Sequence, residues 1–329
     1  MILLNRKPSP RSMRSSRRHP AKFNSQWDNP ADKAVATATV RAFHMTPVKT
    51  PSPKKPSNDG DVHIAITTNA FGLPLVAEIC NAKDAEAARA TVKDAIKQAT
   101  PLTMTGVLRL WAEHSGNHEF VQGDPVEEPE GTNPDHVLEL HPLLQINDDN
   151  VTSSFKGIAD YAYKEATSAF NAYENTPCAI TRNKTTTTLT TRGVGYNYTQ
   201  FLVRLDEDPT PPPADADSKF VYTDLYSLDG EKVVGGHVRP KKGETAAARR
   251  MRAKRRLVFI NNTLPSTVLQ AAKKGEWLRL VGIPSINLSL VQWRGKQGGA
   301  ALTWSLPYQM IILDAESVPA DERPEPDES

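Results

Sequence analysis

Residues 255–287 read RRLVFINNTLPSTVLQAAKKGEWLRLVGIPSIN, and their order of strand, helix and strand decides the fold. Leu257 to Ile260 is a short apolar run of β-formers, broken by Asn261, Asn262 and Thr263, whose side chains favour turns and helix caps. Pro265 suits a first helical turn, and Leu264, Val268, Leu269 and Ala272 fall on one face. Lys273 and Lys274 sit where the helix dipole favours cations, and Gly275 supplies the stop. The chain then returns as a strand from Trp277 to Ile283. Leu278, Leu280 and Gly282 alternate with Trp277, Arg279, Val281 and Ile283, so one face enters a core while the other carries an aromatic ring and a guanidinium.

This stretch resembles the middle of an OB-fold of the single-stranded-DNA-binding type. In that family a helix follows the third strand, and a KKG segment with alternating apolar residues and a glycine enters the fourth. The matching residues are Lys273, Lys274, Gly275, Leu278, Leu280 and Gly282, and the resemblance extends over about Phe201 to Asp314. It implies a small β-barrel that holds single-stranded nucleic acid.

The 329 residues, 38% hydrophobic and 24% charged, suffice for two globular domains with tails. The 26 prolines and a mean hydropathy of -0.49 assign a good share of the chain to loops. No window of about 18 apolar residues exists, so no membrane span is expected. The two cysteines, Cys80 and Cys178, are far apart and point to a reducing, cytoplasmic setting.

The net charge of +2 hides segregation. Arg6, Lys7, Arg11, Arg14, Arg17, Arg18 and Lys22 all precede the first acid, Asp28, and a Pro-rich basic linker follows at residues 46–60. Residues 1–60 are therefore expected to be a disordered tail and linker, either merely solvated or contacting phosphates. Residues 315–329 are expected to be an acidic disordered tail.

A first barrel is expected over residues 61–147. Its strands read from His63 to Thr67, Pro74 to Cys80, Leu102 to Ala112 and Val137 to Ile146, with a helix from Ala85 to Ala99. Asp61 and His63, then Ala77 and Glu78, then Thr105, Gly106 and Val107, then Glu139, Leu140, His141 and Pro142 together resemble a small OB-like domain of uncharacterised bacterial proteins. That resemblance implies a fold and no chemistry. The pairs His114/His118 and His136/His141 have suggestive metal spacing, but zinc needs about four converging ligands. His136 and His141 differ by an odd number of positions, which puts them on opposite faces of one strand. The expectation is therefore no metal and no cofactor, with His141 partly buried near a kink at Pro142 and the other histidines solvated.

Residues 148–190 are expected to be a linker with a helix from Ser154 to Tyr173. A second barrel is expected over residues 191–314, with a basic insertion at 241–256. The fold expected is thus mainly β: two small antiparallel OB-like β-barrels, a connecting helix and disordered tails.

Single strands are held by aromatic rings stacked on bases beside cations that track phosphates. The residues placed to do this are Arg249, Arg250, Arg252, Lys254, Arg255 and Arg256 of the insertion, Tyr222 and Tyr226, the pair Trp277 and Arg279, and the turn with Trp293 and Arg294. Core packing is the alternative for the aromatics, and a solvated loop for the cations. No nucleophile elbow, Walker loop or dinucleotide fingerprint is present, which leaves no catalytic candidate. The sequence therefore points to a non-enzymatic nucleic-acid-binding protein. A protein-interaction module and a metal-dependent nuclease stand as alternatives.

Overall fold

A computed structural model describes residues 19–24, 33–55, 57–116, 118–195, 198–212, 216–234, 254–297 and 302–324. The protein is mainly β, with a closed five-stranded barrel followed by a curled half-barrel. The tail segments 1–18 and 325–329 and residues 235–253, which include Arg249, Arg250 and Arg252 of the basic insertion, lie outside the described residues.

Strand β1 (His19–Asn24) joins a sheet assembled from later parts of the chain. The first barrel then forms from β2 (Val35–Met45), β3 (Val62–Thr67), β4 (Leu75–Ile79), α1 (Glu86–Gln98) and β5 (Pro101–Leu110). After a long loop that contains the short β6 (Phe120–Val121), β7 (Leu138–Ile146) completes it, and β8 (Asp149–Asn150) extends its edge. Strand β2 pairs with β3 and β5, β3 with β4, and β5 with β7, all antiparallel. The parallel pairing of β4 with β7 closes the ring. Counting barrel strands in chain order, the ring runs 1-2-3-5-4-1 with the helix between the third and fourth, which is compatible with an OB-like barrel. Helix α1 buries Ala88, Val92 and Ala95, the face its spacing predicts.

The expected N-terminal tail is too long. Residues 35–45 are the barrel's first strand, and its inward side chains, Ala38, Val40 and Ala42, are so small that the alternation reads weakly beside a basic, Pro-rich context.

The helix expected from Ser154 to Tyr173 is shortened to α2 (Ala166–Glu174), entered from β9 (Lys164–Glu165). Its N-terminus is set by Glu165, whose carboxylate accepts the N–H groups of Thr167 and Ser168. Upstream, the hydroxyl of Tyr163 accepts the N–H of Ile158, and Asp160 has a left-handed φ of 57°. Phe155 and Ile158 are buried as the periodicity suggests, but from irregular chain. The Thr-rich stretch forms a hairpin, β10 (Pro177–Arg182) and β11 (Thr186–Thr191), in a separate sheet where β11 pairs with β1.

The half-barrel comprises β12 (Thr199–Arg204), β13 (Ser218–Thr223), β14 (Leu225–Tyr226) with β15 (Lys232–Val234), β16 (Arg255–Ile260), α3 (Leu264–Ala271) and β17 (Trp277–Ile286). Helix α4 (Leu288–Gly295) replaces the turn expected around Trp293. Strand β18 (Leu302–Ser305) pairs with β10 in the separate sheet, and β19 (Tyr308–Ser317) returns to the half-barrel. The opening stretch of the sequence is thus strand, helix and strand: β16 pairs in parallel with β19, and β17 is antiparallel to both β19 and β12. Strand β13 pairs with β16, while β14 reaches β12 at a single position, Tyr226 opposite Leu202. At the bulge between Val281 and Gly282 a Cβ on Gly282 would sit 3.0 Å from the carbonyl oxygen of Ile311, a tight approach that favours glycine.

On the face of β17 expected to carry an aromatic ring and a guanidinium, Trp277, Val281 and Ile283 are buried and Arg279 is partly exposed. The first barrel provides part of the reason. Val107, Val258, Ile260, Val281, Ile283 and Ile311 form one apolar cluster across the two barrels. Around it the Asp217 carboxylate accepts the N–H groups of Ala34 (2.8 Å) and Val35 (3.0 Å), and Arg109 Nε donates to the Pro284 carbonyl at 2.7 Å.

Candidate functional site

Two loops meet at one end of the first barrel: residues 46–61, between its first and second strands, and residues 111–137, between its fourth and fifth. Together with Tyr161, Tyr163, Lys164 and Tyr198 they enclose a cleft of about 800 Å³. Lys49, His63, Asp59, Asp61, Glu113 and His114 also line it.

Beneath the cleft lies a set of buried polar side chains that interrupt otherwise apolar strands. Glu78 comes from β4, Arg109 from β5, and Glu139 and His141 from β7; all are at most 2% exposed. Arg109 donates to Glu139 Oε2 at 2.5 Å, and His136 Nε2 lies 3.3 Å from Glu139 Oε1. Glu139 Oε2 is also 3.2 Å from His141 Nδ1. Burial alone would raise the Glu139 carboxyl, but the Arg109 guanidinium and the two histidines hold it well below the usual range. Burial also opposes charge on His141, and Glu78 and Asp61 outweigh it, so the ring holds its proton well above the ordinary range. A charged set of this kind persists only because each member meets an opposite charge.

On the other side of His141 stand Asp61, Cys80 and Tyr198. The Tyr198 hydroxyl donates to Asp61 Oδ2 and lies 3.2 Å from Cys80 Sγ. Asp61 Oδ1 accepts the N–H of Asn81 at 3.3 Å. Burial raises the Asp61 carboxyl and pushes the Cys80 thiol up to about 11. Nearer the rim, burial raises Glu113 to about 7 despite Arg109, and burial together with His136 lowers His114.

The histidines therefore depart from expectation. His141 is wholly buried, and so is His136, which stacks on His114 with ring centroids 5.2 Å apart. His118 alone among the two pairs is well exposed, with Nε2 2.9 Å from Asp135 Oδ2. The parity argument fails because His136 lies ahead of β7, which starts at Leu138, and Glu139 bridges the two rings.

Most of the cations and rings expected to hold nucleic acid are engaged internally. Arg255 grips Glu174 with contacts of 2.6 Å and is buried, and Lys254 pairs with Asp206. Arg256, also buried, donates to Gln309 at 2.7 Å and lies over the Phe220 ring at 4.4 Å. Arg294 donates to the Ser305 carbonyl and lies over Trp304, and half-buried Trp293 packs against the same indole. Trp277 is 3% exposed, with its ring 4.8 Å from Tyr226, and Arg279 pairs with Glu316 and Glu322. Tyr222 and Tyr226 are half-buried. Among the described residues of this set, Tyr222, Tyr226, Lys254, Arg279 and Trp293 keep partial exposure.

No protein-family model matches the chain, and no curated protein matches it.

Proposed function

We propose that the protein binds single-stranded nucleic acid, and that the contact surface is the cleft of the first barrel rather than the aromatic face of the second. The position of the cleft carries this reading. In OB-like barrels the loops after the first and fourth strands flank the face that takes extended polymers, and here those two loops form the cleft walls. Half-buried Tyr161 and Tyr163 offer rings for base stacking, and exposed Lys49 offers a cation for phosphate.

Of the acids that line the cleft, burial raises Asp59, Asp61 and Glu113, the last to about 7, while Glu165 keeps its charge at the α2 N-terminus. The cationic residues 241–254 supply further charge for long-range attraction.

The test is fluorescence anisotropy of the full chain with labelled single-stranded DNA, single-stranded RNA and duplex at two salt concentrations. Binding to a single strand should weaken with salt, and Lys49→Ala should lower the slope of log K against log[salt] by about 0.7. Tyr163→Ala should weaken binding by about 1–3 kcal/mol with the slope unchanged. No binding at low salt to any of the three would remove this reading and favour a protein-interaction module. Binding that ignores both substitutions would move the surface elsewhere.

A further inference from the structure

Asp61, Cys80 and His141 place a carboxylate oxygen, a sulfur and an imidazole nitrogen within 4.8 Å of one another, in a space closed to solvent. Asp61 stands at the end of the loop before β3, Cys80 directly follows β4, and His141 lies on β7. Asp61 and Cys80 thus flank the paired strands β3 and β4, and His141 lies on β7, which pairs with β4.

The orientation of His141 points to a ligand. Its Nδ1 lies 3.2 Å from Glu139 Oε2 and 3.2 Å from Glu78 Oε2. An ion would displace the Nε2 proton that His141 holds and the thiol proton of Cys80, leaving Nδ1–H directed at Glu139, which is how a carboxylate orients a metal-bound histidine. Nε2 is fully buried yet makes no hydrogen bond, and it stands 3.5 Å from Asp61 Oδ2. Two ligands at about 2.0–2.1 Å from a tetrahedral zinc are about 3.4 Å apart, close to that separation.

The adjacent group of Glu78, His136 and Glu139 provides a contrast, because there the Arg109 guanidinium already meets Glu139. Asp61 is met by a tyrosine hydroxyl and an imidazole instead. An ion beside Asp61 would take the place of the protons on His141 and Cys80, whereas an ion beside Glu139 would meet the permanent charge of Arg109.

We propose that Asp61 Oδ2, Cys80 Sγ and His141 Nε2 bind one divalent transition-metal ion of the zinc type, with Tyr198 at the fourth side, toward the cleft. The mixed sulfur, nitrogen and oxygen donors suit zinc or cobalt and disfavour magnesium and calcium, which take oxygen ligands. The site does not depend on the nucleic-acid reading, since metal uptake can succeed where oligonucleotide binding fails.

The full chain, stripped with chelator, is titrated with Co²⁺ and followed by absorption. The expected result is saturation near one ion per chain, with a thiolate-to-cobalt charge-transfer band and d–d bands of tetrahedral intensity. Zn²⁺ should displace the cobalt and Mg²⁺ should not. The chain has two cysteines, so Cys178→Ser should keep the charge-transfer band and Cys80→Ser should abolish it. If Cys80→Ser fails to fold, X-ray absorption of the zinc-loaded wild type decides: one sulfur at about 2.3 Å with lighter ligands at about 2.0–2.1 Å supports the site. No stoichiometric uptake, a band that survives Cys80→Ser, or a zinc shell without sulfur overturns it.

Discussion

Glu113 sits at the rim of the cleft, where burial raises its carboxyl from 4.5 to about 7. Between those values the folded chain carries a proton that the unfolded chain lacks. The stabilising effect of this group is therefore fully present below pH 4.5 and is lost as pH rises through 7. At about 1.4 kcal/mol per unit, Glu113→Gln should flatten the fall in stability between pH 5 and 7 and exceed the wild type at pH 8 by roughly 1–3 kcal/mol. Urea midpoints at pH 5, 6, 7 and 8 measure this, and an unchanged slope in the variant would refute the assignment. The buried set around Glu113 was partly legible, because Glu78, Arg109, Glu139 and His141 each interrupt a run of apolar strand residues. A charge in such a run must find a partner inside the protein. Which partner it finds was not legible, since Arg109 and Glu139, 30 residues apart, meet only when β5 and β7 pair.

Among the elements, β17 best separates what local pattern settles from what packing settles. Its alternation correctly assigned Leu278 and Leu280 to the interior. The pattern could not reveal that the opposite face is covered as well, by Tyr226 at Trp277 and by the cluster shared with the first barrel at Val281 and Ile283. Trp277→Ala should accordingly destabilise the fold by about 3–5 kcal/mol, as removal of a buried ring does. Thermal unfolding would read this as a lowered Tm, whereas a fully stable variant with weakened oligonucleotide binding would return Trp277 to a surface role. The order of strand, helix and strand in residues 255–287 was legible because capping residues and turn formers act over a few residues. The first strand of the first barrel was missed for the complementary reason: its small inward residues give little contrast, and pairing with β3 and β5 is what orders them.

At the scale of the molecule, Asp217 of the second barrel fastens the backbone where β2 begins, through Ala34 and Val35. Hydrogen bonds to a charged acceptor contribute about 1.5–3 kcal/mol each. Asp217→Ala should therefore speed amide exchange at Ala34 and Val35 while Leu257 and Ile312, inside the half-barrel, stay protected. Equal loss of protection at all four would mean that the two barrels unfold as one unit. The sheet beside the barrels gives the chain a schedule during synthesis. Strand β18 seals the edge of β10, although the whole half-barrel up to α4 is translated between them. At roughly 5–20 residues per second, the ribosome leaves that edge unpaired for several seconds. The exposed row of N–H and C=O groups on β10 is open to pairing with a second nascent chain in that interval, so slow codons between α2 and β18 should raise aggregation on the ribosome more than slow codons after residue 305.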